Sequence, residues 1–293
     1  MKKTFRYPAE GRWFKGNTHI HTLASDGGMS VRDIATLYAQ AEYDFLFCTD
    51  HWKASNVQLF EETFPLLWID GIELDGKDSR GEAYHIVCLG REQGDMVDRM
   101  DLTEAVDRMR DAGAILILAH PEWTGNSLDP ELADRLDGVE IYNHVCRWLN
   151  GKWSGRLHWN AQLKIGRPTL GFAVDDAHLR PEHPGWNGGW VQVLAPVCER
   201  TTLLEAIRRG HFYSSCGPVI RQIREHQGRI ELETSPVRFV RLVGTDALGQ
   251  RQGSFDGIER TEWAFEIPAQ WDYAYLELED AMGRCAWTQT LYV

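Results

Sequence analysis

Six of the eleven histidines and three carboxylates stand where short apolar runs begin or end, and together they can hold metal. His19 and His21, in GNTHIHTLASDGGMS (16–30), are two apart, so on an extended strand both imidazoles point to one side. Asp26 follows in a Ser-Asp-Gly-Gly turn. Beyond it come Thr49-Asp50-His51, Gly71-Ile72-Glu73, His85 opening HIVCLG, His120 closing AILILAH, and Asp175-Asp176-Ala177-His178. Singly, each has a structural reading as a hydrogen-bonded strand-end residue or a turn cap. Collectively they do not, because nine such groups crowded at one rim waste solvation unless a cation pays the difference. Imidazole with carboxylate suits divalent transition metals.

The elements that must position these groups are βα units. Ser30 and Asp33 make a capping box for a helix with Ile34, Leu37, Tyr38 and Ala41 at helical spacing. FLFCTD (45–50), LLWIDGIELD (66–75), HIVCLG (85–90), AILILAHP (114–121), GVEIYN (138–143) and RPTLGFAVDDAH (167–178) read as strands. Thr103 is expected to cap a helix ending at Gly113, one helix with Trp148, Trp153, Leu157 and Leu163 is expected before 167, and TTLLEAIRRG (201–210) reads as the last helix. From Gly217 the pattern becomes period-two alternation, as in Ile230 and Leu232, Trp263 and Phe265, Leu276 and Leu278, with turns at Leu248-Gly249 and Met282-Gly283. That is a small β-sandwich-like module. In an α/β barrel, chemistry sits where the strands end.

The run H-x-H-x-x-x-x-D-G at His19–Gly27, T-D-H at 49–51, G-x-E ending at Glu73, His85, A-H-P at 119–121 and D-x-H at 176–178 occur in the order of the polymerase and histidinol phosphatase (PHP) superfamily, which residues 14–215 resemble. The resemblance implies a distorted (β/α)7 barrel over 1–216, followed by the sandwich-like module over 217–293. It also implies three divalent transition-metal ions (manganese, iron or zinc) held by His19, His21, Asp26, His51, Glu73, His85, His120, Asp176 and His178, with Glu73 bridging two of them. The implied activity is that of a metal-dependent phosphoesterase. A bridging water acidified to a pKa near 7 would supply hydroxide, and paired metals about 3.5–4 Å apart would stabilise attacking and leaving oxygens.

Other roles come from position alone. Asp50 is placed to orient a neighbouring imidazole, and His178 is a candidate general acid for the leaving group. Lys53, Arg147 and Arg180 follow rim segments and are candidate phosphate contacts. Trp52, Trp123, Trp186 and Trp190 form either an aromatic rim that stacks a substrate or a roof against the β module. No Gly-x-Ser-x-Gly elbow or Walker loop points to a covalent nucleophile or a nucleotide cradle.

A net charge of −12 disfavours polymeric nucleic acid and anionic membranes, but not a small phosphorylated substrate drawn to local cations. The six cysteines are scattered without a C-x-x-C pair, and Met1-Lys2-Lys3 leads into polar, aromatic sequence, so a reducing cytoplasmic setting is expected. Two rivals remain: an amidohydrolase-type hydrolase, and a binding module with a structural metal barrel. Oligomeric state is not readable from these patterns.

Overall fold

The computed structural model describes residues 4–53, 57, 64–78, 80–90, 99–127 and 129–292. The first half is built from β1 (Arg12–Asn17), α1 (Val31–Gln40), β2 (Phe45–Cys48), β3 (Leu67–Lys77), β4 (Ala83–Leu89), α2 (Leu102–Asp111) and β5 (Ile115–Leu118). Then come α3 (Pro121–Thr124), α4 (Pro130–Ala133), β6 (Gly138–Asn143), α5 (His144–Leu149), α6 (Arg156–Lys164) and β7 (Leu170–Val174). β8 (Trp190–Ala195), α7 (Arg200–Arg208) and β9 (Phe212–Ser215) follow. The C-terminal strands are β10 (Ile220–His226), β11 (Arg229–Val237), β12 (Phe239–Val243), β13 (Gly249–Gly253), β14 (Arg260–Glu266), β15 (Tyr275–Glu279) and β16 (Cys285–Thr288).

Local chemistry explains most of these boundaries. Ser30 caps α1, its hydroxyl accepting from the Asp33 amide and donating to the Asp33 carboxylate. α2 is capped by Asp101, which accepts from the amides of Thr103 and Glu104, so Thr103 lies inside the helix and is not its cap. The single helix expected before residue 167 is two, α5 and α6, parted at 150–155 by a turn in which Gly151 takes φ 79°.

Among the described residues the fold is mixed α/β with few helices and one large sheet of thirteen strands, in the order β13-β12-β15-β16-β9-β8-β1-β2-β3-β4-β5-β6-β7, beside a three-stranded sheet β10-β11-β14. The α/β character expected is present, but the distorted (β/α)7 barrel is not confirmed, because the sheet is mixed and open. β1-β2-β3 and β5-β6-β7 run parallel, but β3-β4, β4-β5 and β1-β8 are antiparallel. The reason at β3-β4 is length: positions 78–82 are far too few for a helical crossover, so the chain can only fold back as a hairpin. The strand WVQVLA (190–195) has only a short polar alternation, at Gln192, before three buried apolar residues, so period two alone does not mark it.

No ladder joins β7 to β1 or β8, so the sheet is not closed. Side chains cover the gap instead. Ser214 Oγ accepts from the Ala173 amide and donates to the Gly171 carbonyl, and the Gln289 amide pairs with both backbone groups of Gly171. Just past the strand ends, an isolated parallel bridge ties Ile20 to Ala177, bringing the two histidine-bearing segments together.

The C-terminal strands do not stand apart from this sheet: β16 pairs with β9, and β12, β13 and β15 extend it. Ile223, Ile230, Leu232, Trp263 and Phe265 of the three-stranded sheet pack on Val240, Leu242, Leu276 and Leu278 of the large one, a sandwich-like core. Among the described residues no helix is long and apolar enough to cross a membrane, and no disulfide joins the six cysteines.

Candidate metal centre

The nine residues read from the strand ends converge in four overlapping groups: His21, Asp26, His51 and His178; His19, Glu73 and His120; His19, His21 and Asp176; His51, Glu73 and His85. Glu73 is central. Its Oε2 lies 3.1, 3.2 and 3.3 Å from the Nε2 atoms of His19, His21 and His51, and its Oε1 lies 2.9 Å from His85 Nδ1 and 3.3 Å from His120 Nε2. Asp176 Oδ1 is 3.3 Å from His19 Nε2 and 3.2 Å from His21 Nε2. Asp26 reaches from its turn to within 3.2 Å of His178 Nε2 and 3.5 Å of His21 Nδ1.

The backbone is bent to achieve this. His120 and Asp176 adopt φ of 26° and 55°, and Trp52, beside His51, adopts 51°. Left-handed backbone at non-glycine residues costs of order 1–3 kcal/mol each, and such strain collects at functional sites. Gly27 is needed for close approach and not for a special φ: a Cβ there would lie 2.3 Å from the His21 carbonyl oxygen.

Hydrogen bonds on the outer side of the rings decide which nitrogen faces inward. Glu140 Oε1 is 2.6 Å from His19 Nδ1 and the Asp176 carbonyl oxygen is 2.9 Å from His178 Nδ1, while Asp75 Oδ1 lies 3.2 Å from His51 Nδ1 as a charge contact without hydrogen-bond geometry. With Nδ1 donating in His19 and His178, each Nε2 presents a lone pair to the cluster. His19 Nε2 and His21 Nε2 then face each other at 3.1 Å and also face carboxylate oxygens, an arrangement that repels unless protons or cations intervene. His21 Nδ1 and His120 Nδ1 are buried without a hydrogen-bond partner. This donor set fits divalent cations.

Without cations, protons do that work. Burial pulls the imidazoles down, but Asp176, Glu73 and Glu140 outweigh it at His19, which is held well above the ordinary histidine range. His21 is raised to about 9 against burial by Asp176 and Glu73, and His85 is raised by Glu73 in the same way. Burial pushes Glu73, Asp176 and Asp26 up, yet the surrounding imidazoles win and hold all three below the usual carboxylate range.

The cluster opens into a cavity of 190 Å³ lined by Asp26, His51, Glu73, His85, His120, Asp176 and His178 on one side and by Trp123, Val145, Cys146, Leu149 and His183 on the other. Trp123 packs its ring 5.2 Å from His120 and 5.7 Å from His85. The other position-based assignments change. Asp50 touches no imidazole: it accepts from the Thr22 amide and hydroxyl, the Ser25 hydroxyl and the Cys48 thiol, and so pins the turn that carries Asp26. Lys53, Arg147 and Arg180 do not line the cavity. Arg147 donates to Tyr142 and Arg180 lies 3.9 Å from Glu182.

Trp52 is buried, its indole donating to the Asp75 carbonyl. Trp186 packs on Tyr38, and Trp190 lies against the Lys15 ammonium. Only Trp123 of the four lines the cavity, because the others turn inward to satisfy an N–H or to fill the space around α1.

The residues missed are Glu140, Asp75, Asn143 and His183. Glu140 also accepts from the His120 amide, and Asn143 donates to Glu140 and Asp176. A signal existed for two of them: Glu140 is the lone charge in GVEIYN, and Asp75 is two residues from Glu73 on one strand face. Glu140→Gln is expected to weaken metal binding about 10–100-fold without unfolding the chain, as loss of an imidazole-orienting carboxylate does. Metal titration with far-UV circular dichroism checks both parts.

No protein-family model matches the chain, and no curated protein matches it. Among solved structures, one from Bacteroides vulgatus, described as a two-domain protein containing predicted PHP-like metal-dependent phosphoesterase, aligns over 99% of both chains with a TM-score of 0.59 and 14% identity. An amidohydrolase from Chromobacterium violaceum aligns over 67% of this chain and 96% of its own with a TM-score of 0.44 and 15% identity, too distant to carry an argument. End to end, this chain therefore shares its fold with the Bacteroides vulgatus protein, whose description names the same superfamily that the histidine and aspartate motifs resemble.

Proposed function

We propose that the chain is a metal-dependent phosphoesterase acting on a small phosphate ester at a centre of three divalent ions, manganese, iron or zinc. The observation that supports this most is the convergence of six imidazoles and three carboxylates on one cavity. Divalent cations bound there supply positive charge and activate water at neutral pH. Three such ions outweigh the ligand carboxylates together with Glu140 and Asp75, so the centre favours an anionic phosphoryl group over a neutral amide. The name of the Bacteroides vulgatus structure points the same way.

In this reading Glu73 would bridge cations, Glu140 holds His19 in the tautomer that would ligate, and Asp75 sets a negative charge against His51 Nδ1. His178 also ligates, since its Nδ1 faces a main-chain carbonyl and its Nε2 faces Asp26. Residues 1–216 carry the site, and 217–293 form a β module that braces α6 through Tyr275 to Asn160 and Arg156 to Glu277.

The test is reconstitution. Protein stripped by a chelator and reloaded with manganese, zinc or iron is assayed on phosphate esters, amides and lactones. Phosphate release only from the reloaded protein is expected. Cleavage of amides or lactones but of no phosphate ester, or native protein free of transition metal, overturns the proposal.

A further inference from the structure

The cavity has two chemically different halves. One is the ligand cluster. The other is Trp123 from α3, Val145, Cys146 and Leu149 from α5, and His183 from the loop after β7. Cys146 is buried and adds its thiol to an apolar wall. No lysine or arginine is among the described residues that line the cavity, and Arg99, the cation beside the cluster, is paired with Asp75. Among the described residues that line the cavity, His183 is therefore the one group outside the ligand set that could meet an anionic group inside.

Size narrows this further. At 190 Å³ the cavity lies below the roughly 300–1,000 Å³ of sites that enclose drug-sized ligands, but a cavity of about 150 Å³ takes a benzene ring. The apolar wall continues outward, since Trp123 and Leu149 are 39% and 37% exposed and Trp148, beside His183, is 54% exposed. A single ring or short chain attached to phosphate meets hydrocarbon there, whereas a second carboxylate or phosphate meets no lysine or arginine among the described residues and loses its water.

We propose that Trp123, Val145, Cys146 and Leu149 form a leaving-group subsite that selects phosphate monoesters of small, uncharged, apolar or single-ring alcohols and rejects esters carrying a second anionic group. This rests on the phosphoesterase reading and specifies its substrate class. Leu149 sets the selection and Trp123 supplies the flat face against which a ring packs.

Three primary-alcohol esters, benzyl phosphate, glycerol 3-phosphate and 3-phosphoglycerate, separate the effects of apolarity and charge while keeping the leaving group's chemistry alike. With the manganese-loaded full chain, kcat/KM is expected to favour benzyl phosphate over glycerol 3-phosphate by about 10–200-fold, the range an apolar contact supplies, with 3-phosphoglycerate slowest. Leu149→Lys is expected to invert the last two, with metal content by elemental analysis unchanged. Non-hydrolysable benzylphosphonate gives a readout independent of turnover: it is expected to quench tryptophan fluorescence in the metal-loaded protein, and Trp123→Phe to remove that signal.

Equal kcat/KM for the three esters, or a preference unmoved by Leu149→Lys, overturns the subsite and leaves the phosphoesterase reading intact. Fluorescence quenching with no turnover of any ester overturns the phosphoesterase reading while the apolar subsite stands. Neither quenching nor turnover overturns both.

Discussion

Glu73→Gln is expected to strip the centre of at least one metal equivalent and to lower phosphate release with it. Glu73 is 1% exposed, and five imidazole nitrogens lie within 3.3 Å of its two oxygens. Glutamine keeps the shape but removes the charge, and it turns one acceptor into a donor aimed at nitrogens that must ligate. Removing one partner of a buried ion pair costs about 3–5 kcal/mol, because the other charges stay behind uncompensated. At about 1.4 kcal/mol per tenfold this is roughly a 10²–10³-fold loss in metal affinity. Elemental analysis after gel filtration, with calorimetric metal titration, measures it. A full metal complement at wild-type affinity would falsify the assignment of Glu73 as the bridging ligand.

The second large effect is a pH dependence that changes with metal. In the metal-free protein, His21 has its pKa raised from 6.5 to about 9, against its burial, by Asp176 and Glu73. A raised histidine contributes stability that is fully present below the unfolded pKa and is lost as pH rises through the folded one. The metal-free protein is therefore expected to lose stability between pH 6.5 and about 9. His21 alone accounts for about 3 kcal/mol of this, at 1.36 kcal/mol per unit, and His19 and His85 act in the same direction.

At the acid end, Glu73, Asp176 and Asp26 have depressed values, so their contribution is present above the ordinary carboxylate pKa and is lost as pH falls. Cations replace the imidazole protons and compete better as pH rises. The gap in Tm between metal-loaded and metal-free protein is expected to widen by roughly 5–10 °C from pH 6.5 to 9, taking about 2–4 °C per kcal/mol. Scanning calorimetry of both forms across that range checks the sign. A gap that narrows toward pH 9 sinks the account.

Which residues converge on the cavity was determined by the sequence itself, because each candidate ligand adjoins an apolar run whose strand character is readable, and strand ends gather in α/β folds. Helix α1 with its Ser30–Asp33 cap was legible for the same local reason. Tertiary structure decided the rest. The reversal at β4 depends on a turn too short for a crossover, and the open edge at β7 is covered by Ser214 and Gln289 from distant segments. Glu140, 121 positions from His19, could be matched to its imidazole only by the fold. Lys53, Arg147 and Arg180 follow the rim in sequence but lie outside the cavity, because position along the chain says nothing about where a long side chain finds its partner. Asp50 shows the same limit: the residue beside His51 bonds to the turn around Asp26, since its carboxylate meets three donors of that turn and the Cys48 thiol before it can meet a ring.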